Sequence, residues 1–372
     1  MSDKGLREVV AADTKISDID GAKGSLAYAG YDIADLAEHA SFEEVVHLLH
    51  QVEPPDAEEL RELKRFLSAS RELHPFQVEL MRTLAEQTSP MSMLRTSTSA
   101  ASAFDPDGWD ESPEAQLRKA KRLVAQTATL IATYHRLRTG QQIVRPDPSL
   151  SHAQDLLWMM HGTEPSEEDA RVLDTTFVLY ADHTMNASTF TARIVASTLA
   201  DMFSAITAAI GTLKGPLHGG ANEESMKMFE EVGKPENAEA YVRDRLERKE
   251  KIFGFGHAVY TTYDPRATVL KRLSAESTER AGKTQLHAIA EAIEHTTFEQ
   301  KGLYPNVDFY AAVVFHVLGV PTDLMTPMFA AARMAGWTAH VREQYADNRV
   351  IRPGSQYVGP APRRWVPIDR RS

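Results

Sequence analysis

Residues 118–137, RKAKRLVAQTATLIATYHRL, place Leu123, Val124, Leu130, Ile131, Tyr134 and Leu137 on one stripe with the three-and-four spacing of an amphipathic helix. The same spacing recurs in SFEEVVHLLHQV (41–52), AEELRELKRFL (57–67), HPFQVELMRTLAEQ (74–87) and SHAQDLLWMMHG (151–162), while alternating strand patterns are scarce. The chain therefore reads as mainly α. The best strand candidate is TKISDIDGAKGSLAYAGYDI (14–33), where Asp-Gly and Lys-Gly turn signals lie between apolar stretches. Loops rich in Asp and Pro punctuate the first half at 104–113 and 144–149, and no internal repeat emerges. A length of 372 residues is enough for one large domain or two moderate ones.

Composition removes several function classes. With 41 Lys+Arg against 52 Asp+Glu, the net charge of −11 opposes general nucleic-acid binding. The absence of cysteine excludes disulfides, thiolate metal sites and a thiol nucleophile. No apolar run approaches the length of a bilayer-spanning helix, and the opening MSDKGLREVVAADTK lacks the apolar core of a signal peptide. A soluble, cytoplasmic protein with neither a membrane nor a nucleic-acid partner is expected.

The chemistry concentrates in three short stretches. In GPLHGGAN (215–222) His218 is wedged between Gly-Pro and Gly-Gly, and in GFGHAVY (254–260) His257 follows Gly254 and Gly256. Glycines remove side chains, so a ligand can approach such an imidazole closely. A carboxylate, Asp308, opens the apolar helical run NVDFYAAVVFHVLGV (306–320). Asn222, Asp264 and Asn306 read as helix N-caps, Asp264 with Pro265 as the first helical residue. All three candidates thus fall at loop-to-helix junctions, where exposed backbone donors and a positive helix end favour negative charge. Two imidazoles and a carboxylate form an acid/base set. Taken singly, a glycine-flanked histidine also reads as a turn residue, and a first-turn aspartate as a capping charge.

Arginines supply the complementary half of a site. Arg266, Arg333 in AAARMAGW and Arg352 in VIRPGSQY lie among small residues, Gly or Pro, and guanidinium recognises carboxylates bidentately. Arg333 interrupts an apolar run and requires a buried anion or a cleft. Other motifs fail. His47 and His50 lack a third ligand in a metal-protease pattern, so no metal is assigned. AGKT (281–284) has Ser277 where a phosphate loop needs its first glycine, and GFGHAV puts Val259 at the third glycine position of a dinucleotide fingerprint.

These motifs, in this order, resemble the citrate synthases of the short bacterial and archaeal type. The resemblance runs from DIDGAKGSLAYAGYDIADLAEHASFEEVVHLL through YADHTMNASTFTAR, GPLHGGANE, FGFGHAVYTTYDPRA, YPNVDFYAAVVFHVLGVP and ARMAGWTAHVREQ to NRVIRPGSQYVGP, nearly the whole chain. It implies a mainly α, two-domain fold: a large helical domain at 1–216 plus 322–372, and a small helical domain at 217–321 closing over the cleft. It also implies condensation of oxaloacetate with acetyl-CoA and hydrolysis of citryl-CoA, the opening of the tricarboxylic acid cycle. No metal or cofactor takes part, acetyl-CoA being a substrate.

By the same resemblance, Asp308 is the base, His218 stabilises the enolate and His257 polarises the oxaloacetate carbonyl. His183 is a further oxaloacetate contact, and Arg266, Arg333 and Arg352 grip its carboxylates, Arg352 from the partner subunit of a homodimer. The neutral state expected for His218 and the ionised state expected for Asp308 follow from helix amino ends. Thr261, Ala258, Ala311 and Gly354 depart from common family residues, leaving the CoA contacts unassigned. The rival readings are 2-methylcitrate synthase, using propionyl-CoA, and a non-catalytic helical dimer.

Overall fold

The computed structural model describes residue 5 and residues 9–371, and among them sixteen α-helices accompany one small sheet. The sheet is the expected hairpin with a short third strand. Ser17–Asp20 pairs antiparallel with Ser25–Tyr28, Ile19 opposite Leu26, and Tyr31–Asp32 closes the edge.

The helix Met325–Ala346 is the axis of the larger layer of helices. It is buried almost end to end, and Pro113–Arg138, Ala187–Ala196, Met202–Leu213, Phe42–Gln51 and Glu167–Tyr180 pack around it. Complete burial explains why this helix shows little amphipathic pattern. Gly336 sits in its interior, where glycine costs about 1 kcal/mol relative to alanine. The reason is close approach: its N–H donates to Ala181 O at 3.1 Å, and a Cβ there would lie 2.4 Å from both Ala181 O and Asp182 Oδ1.

A second group of helices packs chiefly on itself: Ala221–Val232, Ala238–Glu247, Pro265–Arg280, Thr284–Lys301 and Val307–Val317. Its starts are set by local chemistry. Asp264 caps Pro265–Arg280 through the Arg266 N–H, and Asn306 caps Val307–Val317 through the Asp308 N–H, both as read from sequence. Asn222 differs. The helix begins at Ala221 behind Gly220, so Asn222 lies inside the first turn, fully buried. Gly219 folds back so tightly, its N–H 3.0 Å from Leu213 O, that the next helix is under way before Asn222 can stand outside it.

The hairpin has a positional task. Tyr28 Oη donates to Asp182 O at 2.9 Å and accepts the Asp182 N–H at 3.1 Å, while Ser17 Oγ donates to the Asp182 carboxylate. Together they pin the turn that carries His183. Thr184 next to it adopts φ 46°, a left-handed conformation costly for a β-branched residue, and its N–H is held by Asp182 Oδ2 at 3.0 Å.

Candidate active site

Three chain segments bring the imidazoles together. His183 follows the helix Glu167–Tyr180, and its ring lies 5.0 Å from that of His257 in an edge-to-face arrangement. His257 stands on the loop whose Gly254 and Gly256 take φ of 77° and 74°, conformations that side chains rarely adopt. A Cβ on Gly254 would also meet the Phe309 side chain at 2.8 Å, so the loop lies flat on the helix of Asp308. His257 Nδ1 accepts the N–H groups of Val259 at 3.0 Å and Tyr260 at 3.3 Å. That pattern assigns the proton to Nε2, which becomes a donor into the cleft. His183 Nε2 meets Tyr260 Oη at 3.2 Å.

His218 is half-buried, with Nε2 2.8 Å from Ser188 Oγ. Ser188 Oγ also accepts the Trp337 indole N–H at 3.1 Å. Asn186 Oδ1 accepts the Ser188 and Thr189 N–H groups, both at 3.1 Å, and also lies 2.7 Å from the Ser188 hydroxyl, so it competes with His218 Nε2 for the one hydroxyl proton. When that proton points to His218 Nε2, Nδ1–H is left as a donor. Burial, and then the neighbouring Arg333 charge, lower the His218 pKa to about 4. Burial, and then Arg266, lower that of His257 to about 4. The same causes put His183 well below the ordinary histidine value. A neutral His218 is what the sequence leads one to expect, but burial rather than a helix end is the main cause.

Asp308 behaves differently from its sequence reading. Burial pushes its pKa up to about 6, although the Tyr180 hydroxyl, which donates to Oδ1 at 2.8 Å, and Arg266 act the other way. The positive helix end does not hold the carboxyl at its ordinary value, because desolvation outweighs it. A carboxylate near 6 is mostly ionised at neutral pH yet a stronger base than a surface aspartate.

The arginines split into distinct cases. Arg266, 2 % exposed, is clamped by Asp264 through Nε–Oδ1 at 3.0 Å and Nη2–Oδ2 at 2.7 Å, leaving three of its five N–H donors for other partners. Arg333 is 1 % exposed, gives Nε–H to Tyr180 O at 2.7 Å, and lies over the Phe329 ring at 4.7 Å. No carboxylate among the described residues forms an ion pair with it. A buried guanidinium without a paired anion is an anion-recognition site in waiting. Arg352 lies on the exposed C-terminal segment and joins no contact of this cluster within the single chain.

Phe329 ties the halves together, its ring 4.6 Å from that of Tyr180 and 6.5 Å from that of His218. Sequence reasoning did not single out Tyr180, Ser188, Phe329, Trp337 or the clamp made by Asp264. Their residue types carry no motif, and only the packing of distant helices gives them a role. Among the described residues no cluster of three or more His, Asp or Glu is arranged to hold a metal ion, and no helix is long and apolar enough to cross a membrane.

The family model described as "Citrate synthase, C-terminal domain" matches residues 5–354. The chain belongs to the citrate synthase family. It is 45 % identical to "Citrate synthase 2" of Bacillus subtilis (strain 168), over 99 % of each chain. It is also 40 % identical to the "2-methylcitrate synthase" of Shewanella oneidensis, over 99 % of this chain and 97 % of that one. The citrate synthase of Thermoplasma acidophilum, solved as a ternary complex with carboxymethyl coenzyme A and oxaloacetate, superposes with a TM-score of 0.93 at 33 % identity, covering 100 % of both chains. The mainly helical architecture expected from the sequence is thus that of solved citrate synthases.

Proposed function

We propose that this chain condenses acetyl-CoA with oxaloacetate and hydrolyses the citryl thioester to citrate and CoA. One observation carries the reading: a buried carboxyl with a pKa near 6 lies in one cluster with neutral imidazoles, that of His257 oriented as a donor, and an arginine without a paired anion. Asp308 removes a methyl proton of acetyl-CoA while His218 Nδ1–H donates to the developing enolate oxygen. A thioester methyl is so weak an acid that the carboxylate succeeds only with that oxyanion stabilised in a water-poor site. His257 Nε2–H donates to the oxaloacetate carbonyl, making its carbon electrophilic. The enolate carbon attacks there, and water then cleaves the thioester. Arg266, Arg333 and His183 hold the substrate carboxylates. The chain itself supplies all this acid and base chemistry, which supports a reaction without a resident cofactor or metal.

The self-packed helices within 221–317 support a small domain at 217–321 closing on a large one at 1–216 plus 322–372, and closure would shield the citryl thioester from premature water attack. Arg352, exposed and unengaged in one chain, fits a homodimer in which it completes the neighbouring site. Mixing Asp308→Asn and Arg352→Ala subunits tests this: reassorted dimers regain about a quarter of wild-type activity if Arg352 acts across the interface, and none if it acts in its own site. The cytoplasm is the compartment that fits a cysteine-free chain with these substrates.

The Shewanella relative favours a second reading, 2-methylcitrate synthesis from propionyl-CoA. One methylene in the acyl pocket gives about 1–3 kcal/mol of discrimination, so the two activities overlap. Thiol release from acetyl-CoA and from propionyl-CoA, each with oxaloacetate and chelator, decides between them. Faster turnover of acetyl-CoA supports the first reading, preference for propionyl-CoA the second, and no release from either supports a non-catalytic helical dimer.

A further inference from the structure

We propose that Tyr180 is a positioning residue for the base: its hydroxyl fixes Asp308 Oδ1 and its main-chain oxygen fixes Arg333, so the proton-accepting oxygen Oδ2 and the anion-binding guanidinium are set by one residue. The inference rests on the condensation proposed above.

Tyr180 is the last residue of the helix Glu167–Tyr180 and is wholly buried. Its phenol has one proton to give. Asp308 Oδ1 lies 2.8 Å from it, and the only other acceptor among the described residues, Val307 O, stands at 3.5 Å, the limit of a hydrogen bond. Its carbonyl is one of those a helix end leaves unsatisfied, and the Arg333 Nε–H takes it at 2.7 Å. The ring is held from two sides, 4.6 Å from Phe329 and 6.3 Å from Phe315, and Phe329 also underlies the Arg333 guanidinium. Base, substrate arginine and the aromatic between them therefore share one rigid contact.

With Oδ1 occupied, the methyl C–H bond breaks toward Oδ2, its proton goes to that oxygen, and the electron pair passes into the enolate. Tyr180 keeps its own proton throughout, since burial and then the Asp308 charge raise its pKa well above the usual tyrosine value. Its hydrogen bond favours the ionised carboxylate and opposes the effect of burial. The other charges reaching Asp308 are Arg266 and Asp264 at the start of Pro265–Arg280, and Arg333. Glu294 and His287 of Thr284–Lys301 engage Tyr310 instead, and Glu223 of Ala221–Val232 engages Thr326.

The test is the pH profile of kcat/KM for acetyl-CoA in Tyr180→Phe and in protein carrying 3-fluorotyrosine at position 180, a nearly isosteric, more acidic donor. Loss of the hydroxyl is expected to move the acid limb up by about one pH unit from its starting point near 6, costing about twofold at pH 7, roughly tenfold at pH 5 and little at pH 9. The fluorinated residue moves the limb down. KM for oxaloacetate stays unchanged in both, because the main-chain contact to Arg333 remains. A loss that is uniform across pH in Tyr180→Phe, or an unmoved limb in the fluorinated protein, overturns the role of Tyr180 while leaving condensation intact. Absence of wild-type turnover overturns both.

Discussion

Replacing Asp308 with asparagine is expected to stabilise the protein while stopping its chemistry. Burial raises this carboxyl from its ordinary 3.8 to about 6, so ionising it in the folded protein is harder than in the unfolded chain. At about 1.4 kcal/mol per tenfold change, the folded state carries a penalty of about 3 kcal/mol once pH exceeds 6. Below 3.8 the group is protonated in both states and the penalty vanishes; it grows as pH rises between the two values. Asparagine keeps an acceptor for the Tyr180 hydroxyl and carries no charge, so it removes the penalty without opening a cavity. The variant should melt a few degrees above wild type at pH 8, and the gap should close progressively toward pH 4. Its kcat/KM should fall by about a hundredfold to ten-thousandfold, the range for losing a general base. Parallel thermal melts and thiol-release assays across pH measure both. A stability gap that does not change with pH, or a variant that still turns over, would refute the reasoning that Asp308 is a desolvated base.

The remaining predictions concern its supports. Ser188→Ala removes the hydroxyl that meets His218 Nε2 and accepts from Trp337, so kcat should drop about tenfold or more with oxaloacetate KM unchanged; a change in KM alone would count against a role through His218. Asp264→Asn keeps an N-cap but leaves the buried Arg266 without its counter-charge, a loss of about 3–5 kcal/mol. Oxaloacetate should then raise the melting temperature more in the variant than in wild type, and an equal rise would place Arg266 away from the substrate. Gly336→Ala should lower the melting temperature despite alanine's better helix propensity, because its methyl would lie 2.4 Å from Ala181 O and Asp182 Oδ1. A more stable variant would show that the contact yields easily.

The sequence by itself determined the helical class, the hairpin near residue 20 and the caps at Asp264 and Asn306, because these depend on neighbours three or four residues away. It also picked out His218, His257 and Asp308, whose glycine-rich or helix-opening settings are local, and family resemblance joined His183 and the arginines to them. Tertiary structure decided what those groups are chemically. The Asp308 pKa near 6 arises from burial set against a tyrosine 128 positions away in the chain. The hydroxyl that meets His218 Nε2 belongs to a serine 30 positions away, whose partner Trp337 lies 149 positions further on. Asn222 was misplaced as a cap because the fold-back of Gly219 onto Leu213 is invisible in a linear pattern. Periodicity and caps are short-range and can be read along a chain, but desolvation and hydrogen-bond direction depend on which distant helices meet, and only the packed molecule fixes that.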